Sequence, residues 1–170
     1  MGKKSTRNNK NVYQQSREEK GLTRFQASEL MGFISESRIE KVESEKSPIH
    51  PEEVLAMAKV YKNPCLSNYY CAHECPIGIE HVPEVKLKGL SQIVLGMIAT
   101  LNTLNKEKDR LIEITEDEEI VDDELMEFAR IQNHLEKISL TVDTLKLWIA
   151  NKVAAGDIDA DKLAKARENI

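Results

Sequence analysis

In GLTRFQASELMGFISESRIEKVESEKSPIHPEEVLAMAKVY, residues 21–61, start and stop signals for helices follow one another at short intervals. Thr23 with Gln26 three residues later is a capping box. Phe25, Ala27, Leu30 and Met31 then recur at helical spacing, and Gly32 supplies a left-handed residue that stops the helix. Ser35 caps a second helix in which Ile39 and Val42 point inward. Pro51 sits at a first helical position, with Glu52 and Glu53 complementing the dipole in the first turn. Val54, Leu55, Ala58 and Tyr61 form the apolar face of that helix. Short helices joined by three- or four-residue turns bury a small core only when packed at steep angles, as in a helix-turn-helix.

Composition agrees with an all-α chain. Of 170 residues, 41% are hydrophobic and 31% charged, while Phe, Trp and Tyr number only three, one and four and Gly seven. This argues against sandwiches, barrels and Rossmann-type nucleotide folds. No apolar run approaches the ~18 residues of a membrane helix. The start, MGKKSTRNNKN, is basic and lacks the apolar stretch of a secretory signal. A soluble, cytoplasmic protein without a membrane partner is expected. Charge is uneven: residues 1–50 carry 10 Lys/Arg against 7 Asp/Glu, and residues 113–170 carry 7 against 15. A basic head attracts phosphate, whereas an acidic tail favours protein partners or solubility.

Five segments follow from the pattern. Residues 1–11 read as a disordered basic tail and 12–64 as the helix-turn-helix domain. Residues 65–84 read as an irregular loop, 85–154 as a long antiparallel helical hairpin, and 155–170 as a short C-terminal helix. The loop gathers Cys65, Cys71, Cys75, His73 and His81. Zinc is the cofactor that Cys65, Cys71, Cys75 and His81 would take, although no two of the cysteines have a zinc-ribbon spacing. Otherwise no cofactor is expected. Three readings compete: buried packing, a reversible Cys71–Cys75 disulfide, and a Cys–His catalytic pair that lacks an orienting residue.

In the hairpin, Leu87, Leu90, Val94, Met97, Leu101, Leu104, Lys108 and Leu111 alternate steps of three and four, a heptad seam. Ile93, Ile98 and Ile112 widen the stripe. Leu125, Phe128, Ile131, Leu135, Ile138, Val142, Leu145 and Ile149 make the second stripe. Two helices cannot bury both stripes well, and four can. A homodimer through Leu90, Val94, Met97, Leu101, Leu104, Leu135, Ile138, Val142 and Leu145 is therefore expected, against a hairpin folded back on its own N-terminal domain. Asp157, Asp159, Asp161 and Glu168 have the spacing of calcium-loop ligands. Lys162, however, stands where that loop needs Gly, so a capped helix start explains them better.

Taken with its neighbours, residues 12–64 resemble the DNA-binding domain of the Xre, or phage-repressor-like, helix-turn-helix family. Gly21, Leu22 and Thr23 fit the start of the family's second helix, with Ala27, Ser28, Met31 and Gly32 at its packing and turn positions. Ser35, Ile39, Val42 and Glu43 fit the recognition helix, and Pro51 and Leu55 fit the helix that closes the core. The remainder is similar to bacterial helix-turn-helix domain proteins of undefined activity. Three departures stand out: a turn lengthened by Phe33 and Ile34, Arg24 where a Gln is frequent, and Glu45 where a Gly is frequent. The resemblance implies double-stranded DNA as partner and sequence-specific transcriptional regulation as function. The first part of the recognition helix then reaches base edges, which nominates Ser35, Glu36, Ser37, Arg38 and Lys41. Arg24, Lys3, Lys4, Arg7 and Lys10 would contact phosphate. Acids on that helix (Glu36, Glu40, Glu43 and Glu45) oppose phosphate binding. They keep open the alternative of an adaptor or antitoxin-like protein partner that uses the same scaffold and the apolar C-terminal helices. An enzyme is not expected, since nothing resembles a phosphate loop, a nucleophile elbow or a paired-carboxylate site.

Overall fold

The computed structural model describes residues 10–116 and 119–169, and all regular structure among them is helical. Lys3, Lys4 and Arg7, expected at phosphate, lie outside the described residues, as do Asp117 and Glu118 of the acidic turn. In chain order the helices are α1 (Val12–Glu19), α2 (Arg24–Met31), α3 (Glu36–Glu43), α4 (Pro51–Val60), α5 (Cys65–His73), α6 (Pro76–His81), α7 (Leu90–Ile114), α8 (Leu125–Ala155) and α9 (Ala160–Glu168). They divide into two units, one made of residues up to 84 together with 150–170, the other of Val85–Ile149.

Local signals place the first unit's helices as read. The Thr23 hydroxyl accepts from the Gln26 backbone N–H while the Gln26 side chain returns to the Thr23 N–H, completing the capping box. Gly32 adopts φ 78°, which only glycine reaches without strain, and so ends α2. Ser35 caps α3 by accepting from the Arg38 N–H at 3.2 Å, and Pro51 opens α4. Ala27, Met31, Ile34, Ile39, Val42, Ile49, Val54, Met57, Tyr61 and Leu66 bury together with Tyr13 of α1. Fully burying one such large aliphatic side chain is worth about 1.5–3 kcal/mol.

Three expectations need correction here. Phe25, Leu30 and Leu55, read as inward-facing, are 60%, 63% and 63% exposed. The buried residues are Ala27 and Met31 of α2 with Ile34 in the turn, and Val54, Met57 and Ala58 of α4 with Tyr61 at its C-cap, so those three residues fall on the outer faces. Second, residues 65–84 are not an irregular loop. CLSNYYCAH forms α5 and PIGIEH forms α6. Tyr, Cys and His sit on every side of α5, so its sequence shows no apolar stripe, and only Leu66 is buried. Gly78 is what lets α6 cross α5, because a Cβ there would lie 2.1 Å from the Cys71 carbonyl oxygen. Third, the hairpin's first helix begins later than expected, at Leu90 rather than 85, and its second begins at Leu125.

In the second unit α7 and α8 pack antiparallel. Arg110 bonds Glu127 at 2.6 Å, while Glu107 takes Arg130 at 3.1 Å and His134 Nδ1 at 2.6 Å, so numbers rise along one helix as they fall along the other. Ile93, Ile114 and Ile131 are the fully buried apolar residues of the unit. The seam residues Leu90, Val94, Leu101, Leu135 and Val142 remain 37–47% exposed, and Met97, Leu104, Ile138 and Leu145 are half-buried. Asp159 caps α9 by accepting from the Lys162 N–H at 3.0 Å, and Asp157 pairs with Lys152 at 2.8 Å. Both are therefore engaged as a helix cap and a surface pair. No helix among the described residues is long and apolar enough to cross a membrane.

Candidate nucleic-acid interface

Helix α3 has the geometry of a recognition helix. Ile39 and Val42 are 0% and 3% exposed and anchor it on the core. Residues one or two positions from that row turn outward, and Ser37, Glu40 and Lys41, with Glu36 in the first turn, are all exposed. Ser35 is committed to the cap. Of the residues nominated for base edges, Glu36, Ser37 and Lys41 stand free on the outer surface.

Arg38 does not. Its Nε and Nη2 donate to the two oxygens of Glu53 at 2.6 Å each, Nη1 donates to Ser47 Oγ at 2.6 Å, and Nη2 donates also to the Pro48 carbonyl at 2.7 Å. Arg38, nominated for base edges, is thus held within the domain by this fork. Four of the five guanidinium donor bonds are made within the domain, tying α3 to α4 and to the turn before it. Charge-assisted bidentate pairs are among the stronger hydrogen bonds. Burial alone would raise the Glu53 pKa. The Arg38 hydrogen bonds, with one from the His50 N–H, prevail and hold it below the usual carboxylate range.

A second fixed pair lies beneath α2 and α3. Glu43, with 1% of its side chain exposed, takes Arg17 Nε and Nη2 on its two oxygens and Arg24 Nε at 2.8 Å. Burial would lower the Arg17 pKa, yet the bond to Glu43 more than offsets it and the pKa rises. Arg24, expected at phosphate, thus has one edge bound to Glu43 and about a third of its side chain in solvent. Lys10, expected there too, pairs with Glu18 at 2.6 Å. Among the described residues, the cation of α3 without an ion pair is Lys41, on the same helix as Glu36 and Glu40. On α2 and the turn after it, Phe25, Leu30 and Phe33 are 60–64% exposed, residues that the sequence reading assigned to the core or to the turn.

The cysteine and histidine set does not assemble. No group of three or more His, Cys, Asp or Glu among the described residues is placed to hold a metal ion. Cys65 begins α5 and its Sγ accepts from Asn151 Nδ2 at 3.5 Å. Cys71 lies with its backbone against Gly78, Cys75 precedes α6, and His81 projects into solvent beside Glu80. All three cysteines are free thiols. His73 stacks on Tyr69 with ring centroids 4.7 Å apart.

With this geometry in view, residues 14–65 match the family model described as Helix-turn-helix, which covers under a third of the chain. No curated protein and no solved structure matches the chain.

Proposed function

We propose that this chain, whose N-terminal domain is an Xre-type helix-turn-helix, is a sequence-specific DNA-binding regulator that dimerises through α7 and α8. The observation that carries the reading is α3 itself, anchored by Ile39 and Val42 and presenting Glu36, Ser37 and Lys41 outward. In this docking mode such a helix enters the major groove with its first residues at base edges. Lys41 would donate to guanine, Glu36 would accept from a cytosine amino group, and Ser37 would serve either. Arg24 would reach phosphate with the edge not bound to Glu43. The two-fold pairing that such proteins use on half-sites is supported by the exposure of Leu90, Val94 and Leu101 on the α7 stripe and of Leu135 and Val142 on the α8 stripe.

A protein-binding reading, adaptor or antitoxin-like, is favoured by one observation, the exposure of Phe25, Leu30 and Phe33 on α2 and the turn that follows it. The two readings separate in one experiment on the full chain. Fragments selected from random double-stranded DNA are titrated by fluorescence anisotropy at several salt concentrations. The regulator gives binding that weakens steeply with salt, and Lys41→Ala then costs about 1–3 kcal/mol on the selected site and relaxes preference at one base pair. Absence of binding to any fragment at low salt, with binding gained in the Glu36→Gln, Glu40→Gln double variant, overturns it in favour of the protein partner.

A further inference from the structure

Ile93 on α7 and Ile131 on α8, 2% and 1% exposed, mark the side of each helix that is covered within the hairpin. Successive residues of an α-helix turn by about 100°. Counted from Ile93, Glu107 and Arg110 lie round one way by about 40° and 100°, and counted from Ile131, Glu127, Arg130 and His134 lie round the same way by about 40–100°. These are the residues that pair across the hairpin, Arg110 with Glu127 and Glu107 with Arg130 and His134. The ion pairs between the helices therefore share one flank. Round the other way lie Leu90, Val94, Ile98 and Leu101 of α7, by about 60–140°, and Leu135 and Val142 of α8, by about 20–40°. Because the helices run antiparallel and face each other, equal senses of rotation fall on one side of the pair. These six aliphatic residues thus occupy the opposite flank.

The two flanks differ in what they leave in water. At 37–51% exposure the six aliphatic residues present on the order of 500 Å² of apolar surface, the upper end of what a monomer leaves in one patch. With the polar atoms around them this approaches the ~800 Å² that each partner brings to a standard interface. Residues 90–105, which carry four of the six, contain no Asp, Glu, Lys or Arg. Charges at the margin are already neutralised, Asp143 by Lys146 at 2.9 Å and Lys108 by Asp109 at 3.7 Å. Met97, Leu104, Ile138 and Leu145, by contrast, are half-buried in the hairpin's own seam.

We infer that a second copy of this chain docks on the aliphatic flank, so that two hairpins close into a four-helix bundle with their ion-paired flanks facing out. The inference rests on the proposed dimer and assigns the surface by which it forms. A two-fold interface sets residues near its axis against their own copies, where any charge meets a like charge. The uncharged run from Leu90 to Asn105 suits that self-pairing, whereas a partner of different sequence would tolerate charge there. The assignment also divides the residues expected to dimerise. Leu90, Val94, Leu101, Leu135 and Val142 meet the second copy, joined by Ile98, while Met97, Leu104, Ile138 and Leu145 hold the hairpin together.

The test is analytical ultracentrifugation of the full-length protein over a micromolar concentration series, with circular dichroism to follow helix content. The wild type should sediment as a dimer. Ile98→Glu should raise the dimer dissociation constant at least a hundredfold, because each copy would bury an unpaired charge. Helix content should persist, since Ile98 is 51% exposed in the single chain. Val94→Gln, a milder change on the same flank, should raise the constant at least tenfold and is read even where the glutamate loses helix. Ala99→Glu, one residue further on but turned to the ion-paired flank and exposed, should leave it unchanged. A monomeric wild type overturns the dimer and this inference together, whatever the DNA titration gives. A dimer that Ile98→Glu and Val94→Gln do not weaken, or that Ala99→Glu weakens equally, overturns the assigned flank and leaves the dimer standing.

Discussion

In the N-terminal unit Glu43 keeps 1% of its side chain in solvent and holds two arginines, whereas in the hairpin Arg110 meets three glutamates with 41% of its own side chain exposed. The apolar residues divide the same way. Twelve of the described ones close into one cluster in the first unit, while the hairpin leaves residues of both its apolar stripes uncovered. The same residue types therefore do different things in the two regions. Buried pairs fix where short helices cross and are costly to break, because each partner left alone is an uncompensated charge in a low dielectric. Exposed pairs between long helices are screened, and the stability of the hairpin rests on its apolar stripe.

The sharpest break in that contrast is Glu43→Ala. It strands Arg17 and frees Arg24, and loss of one partner from a buried pair costs about 3–5 kcal/mol. Against the ~5–15 kcal/mol that holds a typical domain together, most of the N-terminal unit's helix content should melt at physiological temperature. Circular dichroism in urea measures it, and a shift no larger than that of a surface variant would contradict the structural role of Glu43.

Next comes Arg38→Ala, which leaves Glu53 partly buried without its fork and should cost about 2–3 kcal/mol, the worth of charged hydrogen bonds. The double variant Arg38→Met, Glu53→Gln should recover more than half of that, which a base-reading arginine would not do. The effect has a pH signature. Glu53 in the folded state has a depressed pKa, so its contribution is fully present above the unfolded carboxylate value of about 4.3 and is lost as pH falls through the folded value. The stability gap between wild type and Arg38→Ala should therefore narrow between pH 5 and pH 3, roughly. A gap constant over that window removes the pair from the account.

These residues also mark what the sequence discloses. Caps at Thr23, Ser35 and Asp159, and the stop at Gly32, are local, decided within four residues, and were legible as such. The Arg38–Glu53 pair spans 15 positions and the Arg17–Glu43 pair 26. Helical spacing put Arg38 beside Lys41, but an arginine's long arm reaches a neighbouring helix that periodicity along α3 does not encode. Glu45 departs from the glycine that its position favours, and that oddity was visible. What was not visible is the edge-to-face pair of Tyr13 and Tyr69, which needs α1 and α5 brought together. Helix α5 was missed because no stripe of period 3.6 runs through CLSNYYCAH, and without such a stripe a helix is not told from a loop.

The smallest effect, and the one that sharpens the contrast most, is expected for Arg110→Ala. Arg110 donates to Glu127 at 2.6 Å and to Glu113 at 3.1 Å and approaches Glu124 at 4.0 Å, which by distance alone rivals the Arg38 fork. Its hydrogen bond is the first cause of the lowered Glu127 pKa. Yet Arg110 and Glu127 keep 41% and 39% of their side chains in solvent, so water and salt screen the attraction and the two flexible side chains lose entropy in holding it. No resolvable change in melting temperature is expected at physiological salt. A small decrease should emerge only near 10 mM salt, where the screening length grows to about 30 Å. An Arg110→Ala decrease as large as that of Arg38→Ala, insensitive to salt, would mean that the hairpin too is pinned by its charges. The buried row of Ile93, Ile114 and Ile131 would then no longer be its chief source of stability.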